Sequence, residues 1–403
     1  MRPWLAVIGI GEDGLTGLAP AARALVDTAE VLVGGARHLA MVRERAGTER
    51  LLWKRPLSRT INAIAARRGQ RVTVLASGDP LWYGIGVTLS RHFAREEMTI
   101  LPQPSAFSLA AARLGWPVAD CATITLHGRP LDTVRLHLAP DRRVLILSED
   151  GSTPGAIAAL LSKLGWGPSR LTVFTHLGGA REDIVSSEAR HWSERRAADL
   201  NTIALECRAA PGARALPLLP GLPDDAFEHD GQLTKREVRA ATLAALGPLP
   251  GETLWDVGAG CGSIAIEWLR AGEGRSAIAI ERSPARVAVI ARNAAALGVP
   301  ALRIVAGAAP DALIGLPSPD AIFLGGGITN SALLPFLWSV LRPGGRLVAN
   351  VVTAEGEARL IEWHATHGGG LMRIAVSRTE PVGLHQLWRP LAPVTQLAAT
   401  KPG

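Results

Sequence analysis

An α/β protein of two domains is what this sequence predicts, and three observations carry the prediction. The chain has 403 residues, more than one hydrophobic core usually serves. Short apolar runs alternate with Ala/Leu/Arg-rich helical stretches, the pattern of parallel sheets covered on both faces. Between Arg208 and Gly231 the alternation stops, where Pro211, Gly212, Pro217, Pro220, Gly221 and Pro223 precede Asp224 and Asp225. Prolines at that density continue neither a helix nor a central strand. The expected division is a first domain over 1–208, a linker over 209–231 and a second domain over 232–403.

Before the break, Trp4–Ile10, Val31–Val33, Val72–Ala76, Val144–Ser148, Leu171–His176 and Thr202–Glu206 read as strands. Pro20–Thr28, Ile85–Ala94, Ser105–Leu114 and Pro154–Leu164 read as helices. After it, strands are expected at Thr253–Val257, Ser276–Glu281, Arg303–Ala306, Ala321–Leu324 and Arg346–Val351. No repeat relates the halves, so two differently built domains are expected. Ligands of such sheets bind beyond the carboxyl ends of the strands.

Composition narrows the function classes. Hydrophobic residues make up 47%, enough for substantial cores. The net charge is +7, and lysine occurs only at 54, 163, 235 and 401, so arginine carries the excess. Planar guanidinium forks suit carboxylates and phosphates. The excess fits nucleic acid, a small polyanion or simply a solvated surface, but no run of consecutive basic residues marks a nucleic-acid stripe. Cys121, Cys207 and Cys261 are scattered, which predicts neither a disulfide framework nor a metal site. No apolar run reaches the roughly 18 residues that span a bilayer, and the first residues lack a cleavable signal's apolar stretch. A cytoplasmic protein is expected.

The strongest local signal is Leu254-Trp255-Asp256-Val257-Gly258-Ala259-Gly260-Cys261-Gly262-Ser263. An apolar strand runs into a glycine-rich turn that opens a helix, where backbone passes close to a ligand and N–H groups are free. The next strand ends at Glu281, placed to accept both ribose hydroxyls of a nucleoside. Dinucleotide sites usually show G-x-G-x-x-G; the spacing here is G-x-G-x-G, with Asp256 two residues before the first glycine. An anion there repels a pyrophosphate and suits the ammonium of a methionine moiety, so S-adenosylmethionine is expected in preference to NAD. Ala306–Pro310 ends the third strand and frames the adenine, and Gly325–Gly327 follows the fourth. Thr234-Lys235-Arg236-Glu237 reads from spacing as a capping box, with Thr234 capping and Glu237 reaching back.

Thr234–Arg239, Asp256–Gly262, Glu281 and Ala306–Leu313 together resemble the decarboxylating half of the precorrin-6Y methylase family. The resemblance implies that Thr234, Asp256, Gly258, Ala259, Gly260, Cys261, Gly262, Glu281, Gly307 and Ala308 bind S-adenosylmethionine. The family often has an acid where this chain has Ala308, which leaves the adenine to backbone contacts. It often has a serine in the loop that here reads Gly325–Gly327 and Ile328-Thr329-Asn330; Gly326 and Asn330 are the substrate-side candidates.

In the first half, Ala6–Thr16 alone is a weak glycine-loop signal, because Val31-Leu32-Val33 runs into Gly34-Gly35 rather than an acid. Its partners are Ala76–Gly84 (with Gly78-Asp79-Pro80), Pro104–Ser108, Leu126-His127-Gly128-Arg129 and Leu177-Gly178-Gly179. This ordered set resembles the tetrapyrrole methylase family across Trp4–Arg208. The resemblance implies a two-lobed fold with S-adenosylmethionine held between the lobes by Gly9, Ile10, Gly11, Asp79, Trp82, Ser105 and Ala106. His127 reads equally as a strand-end histidine bonded to backbone or as a substrate-side or catalytic group. Arg129 suits a propionate, which a guanidinium grips bidentately.

With the linker and Pro381–His385, the pairing of halves resembles the bifunctional precorrin-6Y methylase family over nearly the whole chain. That implies two S-adenosylmethionine sites, a Rossmann-like second domain, and a polycarboxylate tetrapyrrole substrate of cobalamin biosynthesis. It further implies methylation of carbon 5 by the first half, and methylation of carbon 15 with decarboxylation of the ring C acetate by the second. A homo-oligomer that binds neither nucleic acid nor membrane, and needs no metal, completes the expectation. The rival reading is an RNA or protein methyltransferase, against which stand the absent basic run and an aromatic content of only 4%.

Overall fold

The computed structural model describes residues 3–193 and 196–403. The chain divides into one compact unit of Met1–Leu131 with Ala139–Arg214, and a second of Asp132–Leu138 with Ala215–Gly403. The segment read as a linker is therefore only partly a connection. Leu222 and Phe227 are buried in the core of the second unit, whose order begins well before residue 232.

The first unit contains two sheets. In one, β1 (Leu5–Ile10), β2 (Val31–Gly34), β3 (Glu49–Leu52), β4 (Val72–Ser77) and β5 (Met98–Leu101) run parallel in the order β3-β2-β4-β1-β5. Alternate side chains of a strand face opposite ways. Leu5 and Val7 accordingly join Ile61, Ile64 and Leu89 on one face, while Ala6, Ile8 and Ile10 join Ala22, Val26 and Leu39 on the other. The expected helix Ile85–Ala94 ends at Leu89, whose carbonyl takes the N–H groups of both His92 and Phe93.

The other sheet departs from the all-parallel expectation. β6 (Cys121–Thr125), β7 (Arg143–Leu147), β8 (Arg170–Thr175), β9 (Asp183–Glu188) and β10 (Asn201–Glu206) lie in the order β6-β7-β10-β8-β9. Only β6 and β7 pair in parallel; β10 runs antiparallel to β7 and β8, and β9 to β8. Residues 176–182, which join β8 to β9, are too few for the dozen or more that a parallel crossover needs.

In the second unit, β11 (Thr253–Val257), β12 (Ser276–Glu281), β13 (Arg303–Ala306), β14 (Ala321–Leu324) and β15 (Arg346–Val351) are parallel. β16 (Gly370–Ile374), the exposed hairpin β17 (Ser377–Val382) with β18 (His385–Pro390), and β19 (Val394–Thr400) follow. The sheet order is β13-β12-β11-β14-β15-β19-β16, with β19 antiparallel to both neighbours. Strand order reverses between β11 and β14, and a crevice opens at such a switch point. The loops after those two strands, Gly258–Gly262 and Gly325–Gly327, meet there, and Gly325 N–H donates to Val257 O at 2.9 Å.

No capping box forms at Thr234. The helix Arg236–Leu246 begins one residue later than that reading requires, with Lys235 at its cap and no side-chain capping bond. Arg239 accounts for the difference: its fully buried guanidinium bonds the carbonyls of Thr234 and Leu222 and, through Nε, Glu267 at 2.6 Å. Glu237 turns outward to Arg378 at 2.6 Å.

Candidate functional sites

A cavity of about 620 Å³ opens beyond the strand ends of the first unit. Ile10, Gly11, Asp79, Trp82, Ser105, Ala106 and His127 line it. Ser105 also caps the helix Ala106–Leu114, its hydroxyl accepting from Ser108 N–H at 3.1 Å. Asp79 Oδ1 accepts from Leu81 N–H at 2.8 Å and fixes the loop that carries Trp82. Two expected residues lie elsewhere. Gly9 is a packing glycine: a Cβ there would sit 1.9 Å from Gly78 O and 2.6 Å from Gln103 N. Arg129 lies with its guanidinium 5.3 Å from the Tyr83 ring centroid and does not line the cavity, so the geometry does not support it as the propionate grip.

A second cavity, of about 830 Å³, sits at the switch point of the second unit. It gathers Thr234, Gly258, Ala259, Gly260, Cys261, Glu281, Gly307, Ala308 and Gly326. Glu281 is organised by backbone: Gly260 N–H donates to Oε2 and Ser283 N–H to Oε1, each at 2.9 Å. Each oxygen keeps a lone pair, so the pair can still accept two hydroxyls. Gly258 has φ +74°, and a Cβ there would fall 3.0 Å from Gly326 N. That contact packs the two loops together, whereas a Cβ at Gly260 would meet only Gln232 O at 3.9 Å and one at Gly326 nothing within 4 Å. The bare backbone there leaves a cradle that a nucleoside-sized group can enter.

Asp256, Gly262 and Asn330 are not among the lining residues. Gly262, at φ +82°, lets the helix Ser263–Arg270 pack, since a Cβ would meet Ile290 Cγ2 at 2.9 Å. Asn330 folds its Oδ1 back onto Ala332 N–H at 3.1 Å. Asp256 is 1% exposed; Oδ2 accepts from Ala265 N–H at 3.0 Å and Oδ1 has no partner. Burial pushes its carboxyl from 3.8 up to about 7, the Ala265 bond opposing and the Glu281 charge reinforcing the shift. Instead of a fixed anion waiting for an ammonium, the chain holds a buried acid that titrates near neutrality.

The sign of that shift gives a prediction. A folded-state value above the unfolded one contributes stability that is full below about 3.8 and fades as pH rises to about 7. The unfolding free energy of the second unit should fall across this window, and Asp256→Asn should flatten the fall. Urea titrations of both chains from pH 4 to 8 check it; parallel curves would show that Asp256 does not titrate there.

Comparison with known proteins follows the division into units. A family described as tetrapyrrole (corrin/porphyrin) methylases matches residues 5–191, and one described as a precorrin methyltransferase domain matches 225–401. Over 401 residues the chain is 51% identical to a precorrin-6Y C(5,15)-methyltransferase [decarboxylating] of Sinorhizobium sp, covering 100% of this chain and 97% of that protein. The chain belongs to the precorrin-6Y C(5,15)-methyltransferase family. The member from Mycobacterium tuberculosis (strain CDC 1551 / Oshkosh) is 43% identical over 402 residues, with 98% and 100% coverage. Among solved structures, the C-terminal domain of the Rhodobacter capsulatus member is 46% identical and covers 46% of this chain and 100% of its own, with a TM-score of 0.44.

Several cavity residues of this precorrin-6Y methyltransferase family member escaped the sequence reading. In the first unit Glu12, Arg37, His38 and Glu149 join the lining. Arg37 pairs with Glu12 and reaches Ser77 Oγ at 3.0 Å, while His176 Nδ1 approaches Glu12 Oε2 at 3.1 Å. Burial alone would raise the Glu12 carboxyl; bonds from His176 and Arg37 outweigh it and hold the group below its usual range. Burial, then the Arg37 charge, lowers the His38 imidazole to about 4 and keeps it neutral. In the second unit Lys235, Arg282 and Arg286 line the cavity. Only the arginine bias of the composition hinted at such cations.

Proposed function

We propose that this chain methylates precorrin-6Y at carbons 5 and 15 and decarboxylates its ring C acetate, giving precorrin-8X in cobalamin biosynthesis. The observation that carries the reading is the 51% identity maintained across the whole chain. The finer reading assigns one S-adenosylmethionine to each cavity. In it the first unit methylates carbon 5, and the second methylates carbon 15 and removes carbon dioxide. A cytoplasmic homo-oligomer is part of the same reading; among the described residues no helix is long and apolar enough to cross a membrane.

Bound S-adenosylmethionine supplies a methyl already activated on a sulfonium. The residues of the chain then have mainly to hold and align. In the second cavity Glu281 is the acceptor for the ribose hydroxyls, and Gly260 and Gly326 keep the backbone bare beside the ligand. In the first, Asp79, Trp82, Ser105 and Ala106 form the corresponding wall. Alignment of reacting centres is worth roughly 7–11 kcal/mol of barrier. Lys235, Arg282 and Arg286 suit the carboxylates that fringe a precorrin.

Mass spectrometry of precorrin-6Y incubated with the chain and S-adenosylmethionine should count two methyl groups gained and one carbon dioxide lost. An unmethylated precorrin beside methylated RNA or protein would overturn the reading. The cations also predict salt dependence. Between about 0.1 and 1 M salt the screening length falls from about 10 Å to about 3 Å, so KM for the precorrin should rise severalfold at nearly constant kcat. A KM indifferent to salt would remove these side chains from substrate recognition.

A further inference from the structure

We infer that His127 is the base of the first-unit cavity, taking up the proton that methylation releases, with Glu149 as its positioning residue. The inference rests on the functional reading above and deepens it. A reduced tetrapyrrole carbon reacts as an enamine: its π pair makes the new carbon–carbon bond. The carbon–sulfur bond breaks with its pair left on sulfur, and the macrocycle becomes one charge more positive. Neutrality returns when an N–H or C–H proton leaves the macrocycle and its bonding pair rejoins the π system. That proton needs an uncommitted acceptor facing the substrate.

Every other acidic or imidazole group of the cavity already accepts at least one hydrogen bond. Glu12 is bonded by Arg37 and His176. A guanidinium can only donate, so Arg37 Nη2, at 2.8 Å from His38 Nε2, occupies the lone pair of that ring. Asp79 closes its own loop through Leu81 N–H. Asp199 accepts from Gly151 N–H at 3.1 Å and from Arg196 at 2.6 Å. Tyr83 donates its hydroxyl to Thr123 O at 2.9 Å.

His127 differs. Its Nδ1 lies 3.4 Å from Glu149 Oε2. A carboxylate on that side favours the tautomer with the proton on Nδ1 and leaves the Nε2 lone pair for substrate. The placement is built by the sheet. β6 and β7 pair in parallel up to Thr125 and Leu147, and Leu126 N–H then donates to Leu147 O at 2.8 Å. His127, just past one strand end, thereby meets Glu149, just past the other. Gly128, at φ +66°, turns its N–H onto the same Glu149 carboxylate. The imidazole is 72% exposed, so the captured proton can pass to water between turnovers.

The full chain with precorrin-6Y and S-adenosylmethionine tests this. His127→Ala should slow the carbon 5 methylation roughly 100-fold or more, the usual scale of general base catalysis. Carbon dioxide loss and the other methylation should continue, so the product carries one methyl instead of two. Added imidazole should restore part of the lost rate. Glu149→Gln should lower kcat with KM unchanged, and the double variant should be no slower than His127→Ala. A His127→Ala chain that adds both methyls at undiminished rate overturns the assignment. So does one that binds one S-adenosylmethionine in calorimetry where the unaltered chain binds two, which would place His127 in the methyl-donor site. A wild-type chain that adds no methyl overturns the functional reading itself, a distinct result.

Discussion

Glu281→Ala is expected to abolish methyl-donor binding in the second cavity while leaving the first intact. The carboxylate is 5% exposed and held by Gly260 and Ser283 N–H groups, so it is set before any ligand arrives. Two hydrogen bonds from ribose hydroxyls to a charged group are worth about 1.5–3 kcal/mol each, or about 100-fold to 10⁴-fold in affinity together. The substitution also strands the two N–H groups that order the glycine loop, which adds to the loss. Calorimetry should count one S-adenosylmethionine per chain instead of two. The precorrin product should lack the carbon 15 methyl and keep its acetate carboxyl while still gaining the carbon 5 methyl. Loss of both methylations would mean that the two cavities do not act as independent sites.

Glu267→Ala should cause the largest loss of stability, confined to the second unit. Glu267 and Arg239 are 1% and 0% exposed as a pair, 2.6 Å apart. The carboxylate also takes the N–H groups of Gly221 at 2.6 Å and Leu222 at 3.0 Å. Removing one partner of a buried pair leaves an uncompensated charge and costs about 3–5 kcal/mol. Here the removed partner also anchors the segment that leads into Leu222, Phe227 and Thr234, so the entry to the second cavity should loosen with it. In urea, the unfolding free energy of the second unit should fall by that amount, with its transition moving to lower concentration, and the first unit should be unaffected. A change below about 1 kcal/mol would show that the pair is solvated in solution.

The two cavities were legible in the sequence to different depths. Gly258, Gly260 and Glu281 are local features of a strand, a turn and the next strand end, and they line the cavity where expected. Gly9 and Gly262 carry the same glycine signal but serve packing, a distinction that depends on what crosses over them, Gly78 O in one case and Ile290 in the other. Arg37 and Glu149 gave no local signal, because neither lies in a glycine motif. The Glu12–His176 contact joins residues 164 positions apart, which no window of sequence can show.

By itself the sequence determined the buried parallel strands. Thr253–Val257, Ser276–Glu281, Ala321–Leu324 and Arg346–Val351 fall where the apolar runs put them, because a strand covered on both faces must be apolar nearly throughout. Arg303–Ala306 also falls where its run put it, although as the edge strand it is only partly buried. Tertiary structure alone decided β3, β9, β16 and the β17–β18 hairpin, which are largely exposed and owe their form to the neighbour they pair with. It decided the direction of β9, β10 and β19, since pairing sense depends on the path of the connection rather than on composition. It also decided the state of Asp256. Its charge in sequence is that of any aspartate, but packing strips its water away and leaves one oxygen without a partner, and the cost of burying an uncompensated charge is what raises its pKa.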